Sequence, residues 1–138
     1  MATRSQTETQ IEWSSSDTNA VAADGAMDWS DDFTFSSDLI NAELTVEGNS
    51  AGTASDDILE IHMAVKKDPD NSNTGTPDTY DSSDYTYIGS LDCSSGNDEQ
   101  RTVYIAAFPG DTVRFGALND GTNAITVGYR ITEDKVAL

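Results

Sequence analysis

Several stretches of this chain alternate apolar and polar residues with a period of two, and turn signals separate them. In residues 38–47, Ile40, Ala42, Leu44 and Val46 share one face, while Asn41, Glu43 and Thr45 share the other. In residues 57–66, Leu59, Ile61, Met63 and Val65 alternate with Glu60, His62 and Ala64. Successive side chains of a strand point to opposite faces, so this period describes half-buried strands. Further strand signals cover residues 85–92, 100–108, 111–118 and 123–132, and residues 19–35 hold two short strands around Asp24–Gly25. Pro109–Gly110 suits a type II turn and Asp120–Gly121 a tight hairpin, so the last three strands are expected to form a meander. Eight or so strands with no βα alternation, heptad or internal repeat predict an all-β chain, a single antiparallel β-sandwich or jelly-roll-like domain.

A length of 138 residues suits one domain with a real core. Residues 1–18 are polar apart from Ile11 and Trp13 and read as an extended N-terminal arm, leaving 19–138 as the sandwich. An arm of this composition gains order when neighbouring molecules hold it, which makes Ile11 and Trp13 candidates for partner contact. No apolar run near the N-terminus has the length of a secretory signal, and none in the chain approaches a membrane span.

Charge narrows the partners. The chain carries 25 acidic against 7 basic residues, a net −18. Nucleic acid and anionic membranes attract Lys and Arg and repel such a surface, so neither is an expected partner. Catalysis is not expected either. His62 is the only histidine and Cys93 the only cysteine, far apart in sequence. Nucleophilic catalysis of the Ser-His-Asp or Cys-His kind needs a positioned imidazole. With 25 acids, chance pairs of carboxylates carry no specificity for glycoside hydrolysis, and the chain has no phosphate-binding glycine motif.

Two binding chemistries deserve residues. Asp68, Asp70 and Ser72 alternate in a long non-periodic stretch, residues 68–84, and Asp78 follows. Alternating oxygen ligands suit Ca²⁺, although Asn73 stands where a calcium-binding EF-hand loop needs glycine and no glutamate closes the loop. Apart from this weak Ca²⁺ site, no cofactor is expected. Tyr85 and Tyr87 share one face of a strand and could stack on a sugar ring, with Trp13 and Trp29 as further candidates.

The second half has a recognisable cadence. Tyr87–Ile88–Gly89–Ser90–Leu91 precedes Arg101–Thr102–Val103–Tyr104–Ile105; Pro109–Gly110–Asp111–Thr112–Val113–Arg114–Phe115 and Asn119–Asp120–Gly121 follow. With the strand at 38–47, this resembles the small β-sandwich decoration (cement) proteins of tailed bacteriophage virions. The resemblance implies a capsid decoration protein on the outer surface of the shell. Its partners would be the major capsid protein or other virion proteins, and it would act as a homo-oligomer, a trimer in particular. It brings no catalytic residues. Under it, Arg101, Arg114 and Arg130, three of the seven basic residues, become candidates for intersubunit pairing. The alternative is a carbohydrate-binding or adhesion module on a virion or cell surface, using Tyr85 and Tyr87.

Overall fold

A computed structural model describes residues 2–66 and 85–137. Ten strands follow one another: β1 (Thr3–Gln10), β2 (Asn19–Val21), β3 (Asp28–Trp29), β4 (Phe33–Thr34), β5 (Leu39–Ser50), β6 (Ile58–Val65), β7 (Thr86–Asp92), β8 (Glu99–Ile105), β9 (Thr112–Asn119) and β10 (Ile125–Ala137). They make two antiparallel sheets. One has the order β1-β10-β5-β8, with β2 also paired to β10. The other has the order β3-β9-β6-β7, with β4 also paired to β9. The fold is a β-sandwich, and no helix occurs among the described residues. The alternation explains its core: Leu44, Val46, Leu59, Ile61, Phe115 and Tyr129 are wholly buried between the sheets.

The expected meander does not form. β8 lies beside β5, β9 between β3 and β6, and β10 between β1 and β5. The Pro109–Gly110 turn is as read, since the Asp111 amide donates to the Phe108 carbonyl at 3.1 Å with Gly110 at φ 81°, but Asp120–Gly121 closes no hairpin, because β9 and β10 lie in different sheets. A turn type fixes the bend of four residues, not the partner of the strand that leaves it. Here each bend carries the chain into the opposite sheet, which lets both strands bury an apolar face against each other.

Two further expectations change. Asp134 faces Asn41 and Lys135 faces Leu39, so Ile40 is an extra residue in β5. This bulge turns Leu39 inward and leaves Ile40, expected in the core, 46% exposed. No boundary falls at residue 18. β1 pairs along its full length with β10 of its own chain. Ile11 and Trp13 are 2% and 4% exposed within the same core, so they offer no surface to a partner. Their size and apolarity made them worth more inside than in an arm.

Two polar contacts lock the sandwich. The Tyr129 hydroxyl on β10 donates to the Gly116 carbonyl on β9 at 3.1 Å, bridging the sheets, and its ring meets Trp13 edge-on at 5.1 Å. At one end, the buried Asp57 carboxylate accepts from Ser50 Oγ (2.8 Å), the Ala54 amide (3.1 Å), the Thr122 amide (3.3 Å), the Asn123 amide (2.9 Å) and Asn123 Nδ2 (2.8 Å). These donors join the β5–β6 connection to the β9–β10 connection. Burial by itself pushes the Asp57 carboxyl up, but the bonds from Asn123, Ser50 and Thr122 outweigh it and lower the pKa to about 2.

Three outcomes are expected. Asp57→Ala lowers the melting temperature by more than about 5 °C, because it leaves five donors without their acceptor. Because the folded pKa is depressed, the Asp57 contribution is fully present above the unfolded value of 3.8 and is lost as pH falls through about 2. Thermal melts from pH 5 to pH 2 read this as a fall in stability that the variant lacks. Tyr129→Phe costs about 1 kcal/mol in urea unfolding, the net worth of one buried hydrogen bond.

Candidate functional site

The outer face of the β3-β9-β6-β7 sheet carries an aromatic cluster. It follows from register. Trp29 of β3 faces Gly116 of β9, Gly116 faces His62 of β6, and His62 faces Tyr87 of β7. Gly116 has no side chain, and Met27 and Trp29 fold into the space. A Cβ there would meet Met27 Sδ at 2.6 Å and Trp29 Cζ3 at 3.0 Å. Trp29 meets Tyr85 edge-on at 5.7 Å, and His62 meets Tyr85 at 5.3 Å and Tyr87 at 5.6 Å. The Arg114 guanidinium lies over the Trp29 ring at 4.3 Å.

A second bulge makes this face. Ile61 pairs with Gly89 and His62 with Tyr87, leaving Ile88 as an extra residue of β7. In an unbroken register Tyr87 would face Met63 and point into the core. The extra residue turns Tyr85 and Tyr87 outward, 44% and 53% exposed, while Ile88 packs against the core. Next to Tyr87 lies a cleft of about 300 Å³, lined by Asp56, Ile58, Glu60, Ser90 and Asp120 as well. Its walls offer hydrogen-bond acceptors beside an exposed ring.

His62 sits beneath the tyrosines at 8% exposure, and neither ring nitrogen makes a hydrogen bond. Burial holds its pKa below the usual 6.5, with the Glu60 charge pulling the other way. A depressed histidine contributes stability above pH 6.5 and loses it as pH falls through the lowered value. His62 lies on the outward-facing side of its strand, as its place in the alternation predicts. There the tyrosines cover the ring.

The sequence-derived candidates do not all meet here. Tyr85 and Tyr87 share a face, as expected, and the structure adds Trp29, Met27, His62 and Arg114 around them. Only Trp29 had a signal as a stacking candidate, because the others join through cross-strand register. The three arginines lie apart. Arg101 Nη1 on β8 donates to the Ser90 carbonyl at 2.8 Å, and Arg114 stacks on Trp29. Arg130 Nε on β10 lies 4.0 Å from Glu8 Oε2. The calcium candidates Asp68, Asp70 and Asp78 lie outside the described residues. Among the described residues no group of three His, Cys, Asp or Glu side chains is placed to hold a metal. Asp31 accepts the Ser14 and Ser15 amides, Asp32 pairs with Lys66 at 3.1 Å, and Asp57 is fully engaged.

Cys93 is wholly buried in the core cluster, where desolvation first and the charges of Glu99, Asp92 and Asp57 next push its thiol up to about 11. His62 is on the outer face of a sheet, so the two do not form a thiol–imidazole pair. A larger groove, about 460 Å³, crosses the other sheet near Glu47, Asn49, Asp98 and Gln100, and no aromatic side chain lines it.

No protein-family model matches the chain, and no curated protein matches it in sequence. Solved structures do share the fold. The CBM36-1 domain of a multidomain xylanase from the hindgut metagenome of Trinervitermes trinervoides superposes with a TM-score of 0.52 at 11% identity, covering 91% of this chain and 96% of that one. A carbohydrate-binding module CBM36 in complex with calcium and xylotriose gives 0.49 at 14% identity, over 90% and 97%. A chain of the acidic stable capsid of Helicobacter pylori bacteriophage KHP30 gives 0.44 at 11% identity, over 100% and 99%. The likeness to the CBM36-1 domain shows the β-sandwich fold alone.

The covered histidine gives a testable outcome. Tyr87→Ala opens the imidazole to water and raises the His62 pKa towards 6.5 in an NMR titration, while the fold and the Tyr85 contact remain.

Proposed function

We propose that this chain is a non-catalytic virion protein that decorates the outer surface of an assembled capsid and reinforces it by bridging shell subunits. The observation that carries this reading is an apolar end on an acidic molecule. Tyr104 is 80% exposed, Phe108 69% and Ile40 46%. β5 and β8 run antiparallel with Glu43 facing Tyr104 and Ala42 facing Ile105, which carries Ile40 and the chain leading to Phe108 to the same end of the pair. Exposed aromatic anchors of this kind are characteristic of protein interfaces, where a few large rings supply most of the binding energy. A −18 chain that shows them to water keeps its solubility through charge and its contacts through this end.

The partner that fits is a neighbouring shell protein, the major capsid protein in the first instance. The strand cadence that resembles phage decoration proteins supports the same choice, and the acidic surface suits the outside of a particle better than the side facing packaged DNA. Binding only the assembled lattice stabilises it by mass action, with no reaction to catalyse. The double variant Tyr104→Ala/Phe108→Ala weakens attachment to purified undecorated shells by at least about tenfold. Undiminished attachment overturns the assignment of this end as the docking surface.

A second reading has its own observation. The bulge in β7 holds Tyr85 and Tyr87 out of the core beside an acceptor-lined cleft, the arrangement by which a sugar ring stacks while its hydroxyls donate to carboxylates. In this reading the module binds carbohydrate at a virion or cell surface. A glycan array that lights up for the native chain and goes dark for Tyr87→Ala supports it, and an array blank at millimolar glycan removes it.

A further inference from the structure

β1 is an edge strand with an unusual sequence symmetry. The Ile11 amide, just past its end, donates to the Tyr129 carbonyl of β10 at 2.9 Å. The β1–β10 register is constant from Thr3↔Ala137 to Gln10↔Arg130. Backbone polar groups of successive residues point to opposite sides of a strand. The odd-numbered residues therefore spend their amides and carbonyls on β10. Arg4, Gln6 and Glu8 point theirs away from it, towards an edge that no strand covers among the described residues.

Reversed about Gln6, the strand matches itself. Arg4 meets Glu8, Ser5 meets Thr7, Thr3 meets Thr9, and Gln6 meets Gln6. Each of these is a favourable antiparallel cross-strand pair: opposite charges, paired hydroxyls and paired amides. The edge also lacks the usual devices against pairing. β1 contains no proline, its register has no bulge, and its two charges cancel although the chain as a whole carries −18.

We infer that β1 pairs antiparallel with β1 of a second copy about a two-fold axis at Gln6, joining two five-stranded sheets into one continuous sheet. The contact is isologous, so the Arg4–Glu8 pair forms twice and closes the assembly at two copies. Arg4, Gln6 and Glu8 of each copy form the hydrogen-bonded pairs with Glu8, Gln6 and Arg4 of the other. Glu8 then lies between Arg130 of its own chain, already 4.0 Å away, and Arg4 of the second copy. The dimer uses the edge opposite β8 in its sheet and is independent of what the apolar end at Tyr104 and Phe108 docks onto.

Cysteine scanning under mild oxidation and sedimentation equilibrium test this on the intact chain. Gln6→Cys lies on the axis and forms a disulfide-linked dimer, whereas Thr3→Cys, which faces Thr9 of the other copy, does not. The native chain shows a concentration-dependent monomer–dimer equilibrium. Gln6→Pro removes an amide that β10 does not use, so it abolishes the dimer while far-UV circular dichroism still reports the folded sandwich. Arg4→Glu weakens dimerisation about tenfold by setting like charges opposite each other, and Arg4→Glu/Glu8→Arg restores it. A chain that stays monomeric at millimolar concentration, or a dimer that survives Gln6→Pro, overturns the proposal. Equal cross-linking at positions 3 and 6 overturns the register.

Discussion

A carboxylate shut off from water holds one end of this sandwich together. Asp57 receives donors from β5, from the β5–β6 connection and from the β9–β10 connection. Both connections carry the chain from one sheet to the other, so the two layers cannot slide without breaking its bonds. A buried charge is tolerable only when it is fully hydrogen-bonded, and here the donors are numerous enough to keep it ionised. Asn119 extends the tie: its side-chain amide donates to the Val21 and Asn123 carbonyls, bringing β2 to the same corner. Tyr129 performs a similar task between the sheet centres.

Once the layers are locked, two β-bulges shape the surface. Each inserts one residue, and each reverses the facing of the residues beyond it. In β5 the result is an exposed Ile40 at the end of the β5–β8 pair from which the chain runs to Phe108. In β7 it is an exposed Tyr85 and Tyr87 over His62. The aromatic surface at Tyr85 and Tyr87 therefore depends on a bulge, whereas at the other end the bulge adds only Ile40 to Tyr104 and Phe108, which β8 and the chain after it expose. The acidic residues elsewhere are mostly spent on local structure or on solvent, as with Asp31 at the Ser14–Ser15 turn.

Much of the fold was legible from particular residues. The alternation in 38–47 and 57–66 identified β5 and β6 and most of their buried sides, and Pro109–Gly110 identified a real turn. Pairing was not legible. The turn chemistry around Asp120–Gly121 is compatible with a hairpin within one sheet or a crossing between two, and burial of both apolar faces selected the crossing. The site was half legible: Tyr85 and Tyr87 share a face through a spacing of two, but nothing in that spacing says whether the face is inside or out. Ile11 and Trp13 were misplaced for a related reason, because a polar neighbourhood in sequence does not reveal an apolar one in space.

By itself the amino-acid sequence determined the class of the molecule: period-two patterning and frequent turns dictate stacked antiparallel sheets, and its charged residues sum to a net −18. These are local or additive properties, summed residue by residue. Only the tertiary structure decided which strands are neighbours, that the first strand belongs to the sandwich and leaves an edge open, and which large side chains remain outside. Those outcomes depend on register, and a single inserted residue exchanges the inner and outer faces of a strand, a change that no local pattern records.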